Sequence, residues 1–167
     1  MAVGLAWPAT AAAARLEYEV KAAFLYNFAK FVEWPEGAFP GTKDPLMLCV
    51  VGDEDFAKSV AETVKGRTVH GRSLLVHYVD DPSVLDGCHL LFVGQVENDD
   101  LARILHSIDG SSVLTVSEAS GFVDDGGIIR LFVAEGKVRF EINAGAAEQA
   151  RLKVSSQLLK LARAVRR

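Results

Sequence analysis

The sequence predicts a single three-layer α/β domain: a mostly parallel sheet that ends in a late β-hairpin and carries helices on both faces. Three patterns point to it. Short apolar runs at 46–51, 73–79, 89–93 and 112–116 alternate with stretches of helical periodicity at 54–64 and 99–108, and strand alternating with helix is the mark of a parallel sheet. The rhythm then changes, because 128–133 and 137–143 flank Glu135-Gly136, a hairpin signature. Last, a period-two strand at 138–142 gives way to a helical stripe. A chain of 167 residues, half of them apolar, is enough for one ordinary core. Residues 17–167 are assigned to that domain.

Taken in order, residues 1–16 are alanine-rich, with Trp7-Pro8 before a run of small residues. They read as a signal-peptide remnant or a disordered tail, and the first reading implies export. Residues 17–32 read as a helix, with Val20, Phe24, Phe28 and Phe31 on one stripe. Trp34-Pro35 stops it, since proline disfavours helix in the residue before it. The run 46–51 suits a strand covered on both faces. Asp53 or Glu54 starts the next helix, and Asn98 or Asp99 is expected to cap the one after. Beyond Gly145, Ala147, Ala150, Val154, Leu158, Leu161 and Val165 form one stripe, which predicts a single long helix running towards the C-terminus. Its stripe and that of the first helix need a common cover, so the two are expected to pack together.

Charge and composition narrow the function. The net charge is −4 with 24% charged residues, whereas a nucleic-acid binder carries a basic excess. No apolar run is long enough to span a bilayer. His70, His77, His89 and His106 are scattered, with no pair at metal-ligand spacing on one helix. The acids of Asp53-Glu54-Asp55 follow a strand end but lack the partners a phospho-receiver pocket needs, and they read as capping and solvated groups. There is no phosphate loop, dinucleotide fingerprint or nucleophile elbow. No enzyme, cofactor or metal is expected. Cys49 and Cys88 sit at or near strand ends; in an exported protein they could be bridged, in a cytosolic one they would be two small core residues.

One resemblance goes further. The stretch from Lys21-Ala22-Ala23-Phe24-Leu25-Tyr26-Asn27-Phe28 through Phe31-Val32-Glu33-Trp34-Pro35 resembles the opening signature of the YfiR family. So do Glu141-Ile142-Asn143 and Ala150-Arg151-Leu152-Lys153-Val154-Ser155-Ser156-Gln157-Leu158-Leu159. The likeness spans about residues 18 to 163. It implies a periplasmic regulator that binds the periplasmic region of an inner-membrane diguanylate cyclase and holds it inactive, controlling cyclic-di-GMP output. It also implies sequestration by an outer-membrane lipoprotein, and a homodimer. The pair Cys49/Cys88 resembles one of the family's two cysteine pairs; the later pair has no counterpart here. A small-molecule sensor without a cyclase partner is the alternative.

Two sets of residues are the candidate sites. Glu141, Asn143, Arg151, Leu152, Ser155 and Leu159 combine apolar side chains off the main helical stripe with paired charges, the anatomy of an interface. The competing reading is that Leu152 and Leu159 are covered by the N-terminal helix. Phe24, Tyr26, Phe28 and Trp34 are the candidate lining of a ligand pocket, set against the plainer reading of an aromatic core stripe. Mass spectrometry of the protein from the periplasm, with and without reductant, is expected to show Cys49 bridged to Cys88; two free thiols there would sink the bridge.

Overall fold

The computed structural model describes residues 9–167. Helix α1 (Ala9–Phe31) leads into a two-residue strand β1 (Val32–Glu33). Then follow β2 (Leu46–Val51), α2 (Glu54–Val64), β3 (Thr68–Val69), β4 (Arg72–Val79), β5 (Leu90–Val93), α3 (Asn98–Ser107) and β6 (Leu114–Ser117). The hairpin is β7 (Ile129–Ala134) and β8 (Lys137–Asn143). The chain closes with α4 (Ala144–Gln149), β9 (Lys153–Val154), α5 (Ser156–Leu161) and β10 (Ala164–Arg166). The eight-stranded sheet runs β10-β8-β7-β6-β5-β2-β4-β3, and β1 pairs separately with β9. Only the β7–β8 and β3–β4 pairings of the large sheet are antiparallel. Strands β4-β2-β5-β6-β7 carry the order 2-1-3-4-5 of a doubly wound fold.

The central strands are buried on both sides, which is why they read as unbroken apolar runs. On one face Leu48, Val50, Leu90, Phe92 and Val116 meet Leu25, Phe28 and Ala29 of α1 and Phe56 and Val60 of α2. On the other, Cys49, Val51, Leu91 and Val93 meet Leu101 and Ile104 of α3 and Phe122. Asp53 starts α2 as expected, its side chain accepting from the Phe56 N–H at 2.9 Å. For α3 the cap falls one residue early, on Glu97, with no side-chain bond. In place of a helix between β6 and β7 there is a turn built on Phe122. A Cβ at Gly127 would lie 2.2 Å from the Phe122 ring, so only glycine lets the chain pass it.

Two expectations need correction at the ends of the chain. Helix α1 begins at Ala9, earlier than residue 17, and residues 1–8 of the N-terminal segment lie outside the described residues. The long C-terminal helix does not exist. Asn143 caps α4, accepting from the Ala146 N–H at 2.9 Å, but α4 ends after six residues. Arg151 adopts φ 59°. Its N–H reaches the Glu148 carbonyl at 2.9 Å, and the Leu152 N–H reaches Ala147 at 3.0 Å. These two bonds form a Schellman stop. The freed chain pairs Val154 with Val32, and the Ser155 N–H donates to the Phe31 carbonyl at 2.9 Å. Ser155 then caps the short α5 through its Oγ, and β10 lies parallel to β8. The expected contact between the two ends of the chain survives this change, since Leu152 and Leu158 join the same core as α1. Because Leu152 is 4% exposed, Leu152→Ala is expected to cost about 3 kcal/mol. Urea unfolding that shows a loss near zero would place this side chain outside the core.

Candidate functional site

The amino-terminal ends of β2 and β5 are tied together by one buried histidine. The Met47 N–H donates to His89 Nδ1 at 3.0 Å. With Nδ1 an acceptor, the ring proton sits on Nε2, which donates to the Ala38 carbonyl at 2.8 Å. The His89 carbonyl accepts from Trp34 Nε1–H at 3.0 Å. Phe39 stacks on the imidazole at 4.2 Å, and the Arg72 guanidinium lies 3.7 Å from the Phe39 ring centroid. Burial holds the His89 pKa below its ordinary value, the Arg72 charge pushes the same way, and the bond to Ala38 opposes both. Cys88, the next residue back, is bridged to Cys49 with a Cα–Cα distance of 5.9 Å, so the expected disulfide is present.

Beside this corner opens a cavity of about 360 Å³. Its walls come from the turn around Pro35 and Ala38, the loop before β5 (Ser83, Leu85, Asp86, Cys88), the end of α3 and the loop before β6 (Ile108, Ser112), with Arg151 also lining it. Arg151 is exposed, and its Nη2 makes a long bond, 3.4 Å, to the Gly110 carbonyl. The Ser112 Oγ is buried without a hydrogen-bond partner.

The opposite end of the sheet is closed. Open α/β sheets take ligands outside the carboxyl ends of their strands, at the point where the strand order reverses. Here α1 fills that place with its own side chains. Tyr18 donates to Asp53 at 2.5 Å, and Lys21, 6% exposed, is held by Glu17 at 2.6 Å and by Glu118. The bond to Asp53, with burial, pushes the Tyr18 pKa up to about 12. Burial alone would lower the Lys21 pKa, but the bonds and charges of Glu118 and Glu17 outweigh it and the net direction is upward. Among the described residues no group of three or more His, Cys, Asp or Glu side chains is placed to hold a metal.

The sequence profile of YfiR/HmsC-like proteins matches residues 18–163. The chain belongs to the YfiR/HmsC-like family. Two solved structures share its fold. A conserved domain protein from Vibrio cholerae O1 biovar eltor superposes with a TM-score of 0.60 at 12% identity, over 89% of this chain and 60% of that one. An ABC domain in complex with L-Trp from Streptococcus pneumonia gives 0.52 at 14% identity, over 72% of this chain and 55% of that one. The chain thus spans somewhat over half the length of these two proteins.

Several residues of the YfiR-like motifs do local structural work. Trp34 fastens the linker to β5. Asn143 caps α4 and also donates from Nδ2 to the Val123 carbonyl at 2.9 Å. Ser155 caps α5, Leu152 is buried, and Leu159 is half-buried against the core. Glu141 lies 3.5 Å from Arg130 on the other face of the sheet, so the six partner-surface candidates do not form one patch. Nor do the four aromatic candidates surround a pocket. Phe24 and Phe28 pack on Phe140 at 5.8 and 5.1 Å, Tyr26 lies under Arg67, and Trp34 serves His89. Sequence reasoning missed the cavity, whose walls come from separate loops.

His89 makes stability pH-dependent. Its folded pKa is depressed, so its contribution is complete above the unfolded value, about pH 6.5, and is lost as the pH falls through the folded value. Protonation also turns Nδ1 from an acceptor into a donor facing the Met47 N–H. Thermal melts are expected to fall as the pH drops below about 6.5, and less steeply in His89→Gln. Parallel profiles for the two proteins would remove His89 as the cause.

Proposed function

We propose that this chain is a periplasmic regulatory protein that binds the periplasmic region of a membrane-bound diguanylate cyclase and holds it inactive, lowering cyclic-di-GMP output. The observation that carries this is the YfiR/HmsC-like match over residues 18–163. The fold agrees with it in three ways. A disulfide is formed, as suits an oxidising compartment. No described helix is long and apolar enough to cross a membrane. The crevice where a doubly wound enzyme would place its substrate is filled by Tyr18 and Lys21. Inhibition works by selection: a protein that prefers the inactive form of its target shifts the balance by its differential affinity alone. Formation of a homodimer and sequestration by an outer-membrane lipoprotein belong to the same proposal.

The surface best suited to the cyclase is the second face of the hairpin. Arg130, Phe132, Arg139 and Glu141 are half-exposed there, with Arg130 paired to Glu141 and lying 5.2 Å from the Phe132 ring centroid. An aromatic centre flanked by arginines is the composition of a binding hot spot. A second reading, a small-molecule sensor, is favoured by the cavity beside Arg151.

Deleting the gene is expected to raise cellular cyclic-di-GMP, and the wild-type protein to restore it. Glu141→Lys, checked for folding by a thermal melt because the Arg130 and Glu141 side chains are only 26% and 22% exposed, should fail to restore repression. Used as bait on solubilised membranes, the wild-type protein should retain a cyclase and Glu141→Lys should not. Unchanged cyclic-di-GMP together with no cyclase on the bait would overturn the proposal. Full repression by Glu141→Lys would remove this face alone.

A further inference from the structure

We propose that the cavity at the amino-terminal end of β5 and β6 is a binding site for a small organic monoanion, a carboxylate joined to a short apolar body. Its volume, about 360 Å³, falls within the range of small-molecule sites. Three features define the occupant. Arg151 supplies the charge. The only hydrogen bond of its guanidinium among the described residues is the long one to Gly110, and it forms no ion pair there, so most of the fork is free for two-pronged pairing with a carboxylate. Ser112 supplies the second donor, a buried hydroxyl with no partner on a wall of the same cavity; buried polar groups are seldom left unpaired. Leu85, Ile108, Val113 and the bridged Cys88 supply an apolar wall for the body of the ligand.

Two neighbours restrict the choice. Both ring nitrogens of His89 are engaged, by Met47 and Ala38, so it acts as wall and not as a ligand group. Asp86 also lines the cavity, and its carboxylate repels a second negative charge. That selects monoanions over dicarboxylates and over the dianionic form of phosphate, which predominates above neutral pH. Arg151 also stands where glycine is usual, in the left-handed position that ends α4, so its side chain is kept at a conformational cost. The site is separate from the hairpin face, and its fate does not depend on the cyclase reading.

Benzoate is a suitable probe, followed by amide NMR on the full chain, with inorganic phosphate and benzylamine as controls. Benzoate is expected to shift the resonances of Leu85, Cys88 and Ser112 saturably, and the controls to leave them in place. Arg151→Gly should weaken benzoate about tenfold or more, the value of a charged hydrogen bond, while raising Tm by about 2–4 °C through relief of the left-handed arginine. Arg151→Gln should weaken benzoate likewise and serves if the glycine variant folds poorly. Ser112→Ala should weaken it several-fold. No saturable shift with benzoate, equal affinity in Arg151→Gln, or phosphate binding as tightly as benzoate would each overturn the assignment. None of these results bears on cyclic-di-GMP output, so the failure of one proposal is distinguishable from the failure of the other.

Discussion

A neutral imidazole holds the middle of this fold together. His89 accepts from the backbone of β2 and donates to the linker turn, while its own carbonyl takes the indole proton of Trp34. Three segments far apart in the chain are thereby fixed at one point. The arrangement works only with the proton on Nε2 and Nδ1 bare. Burial supplies that condition by disfavouring the charged ring. The disulfide from Cys88 to Cys49 then ties the same two strands covalently one residue away. A loop that ends at Cys88 and a turn that ends at Ala38 are both held still, and these two are walls of the cavity.

Burial of β2 and β5 on both faces explains why the central sheet was legible in the sequence. A strand covered twice must be apolar throughout, and the runs 46–51 and 89–93 have no other simple reading. The hairpin was equally plain, because Glu135 and Gly136 both take positive φ, as a two-residue turn requires. The C-terminal segment misled for a specific reason. Its apolar residues do recur at helical spacing, but a Schellman stop normally shows itself as glycine, and here the left-handed residue is Arg151. Periodicity carried across the stop. Leu152 fell off the supposed stripe because it is the residue after the stop, and its burial beside Ala147 is the apolar contact that accompanies such an ending. Two-residue strands such as β1 and β9 are too short for any period to show.

The candidate sites were legible in unequal measure. The residues alone left Cys49 and Cys88 open between a bridge and two core thiols, the family resemblance pointed to a bridge, and the bridge is present. Four of the six partner-surface candidates were drawn from a helix that does not form, so the set separates: Leu152 and Leu159 go inward, Asn143 and Ser155 cap helices, and Glu141 and Arg151 reach different places. A motif at a strand-helix corner tends to record such capping and packing, because corners are where backbone groups lose their partners. The cavity could not be read in advance. Its walls come from separate loops whose proximity depends on the sheet order.

The two ends of the sheet divide the labour of the molecule. At the carboxyl end, where folds of this order place substrates, Lys21 and Tyr18 from α1 satisfy the carboxylates of Glu118 and Asp53, and the crevice is filled from within. Opening it would strip a buried lysine of both partners, which is costly. The amino end is the reverse: a rigid rim, an unpaired hydroxyl and a guanidinium with one weak bond. A regulator needs only surfaces and a way to bias them. The cavity shares its Ser112 and Ile108 walls with the loop that leads into β6, and β6 pairs with β7 of the hairpin. The cavity and the Arg130–Glu141 face are thus joined by a run of paired backbone, yet they hold no residue in common.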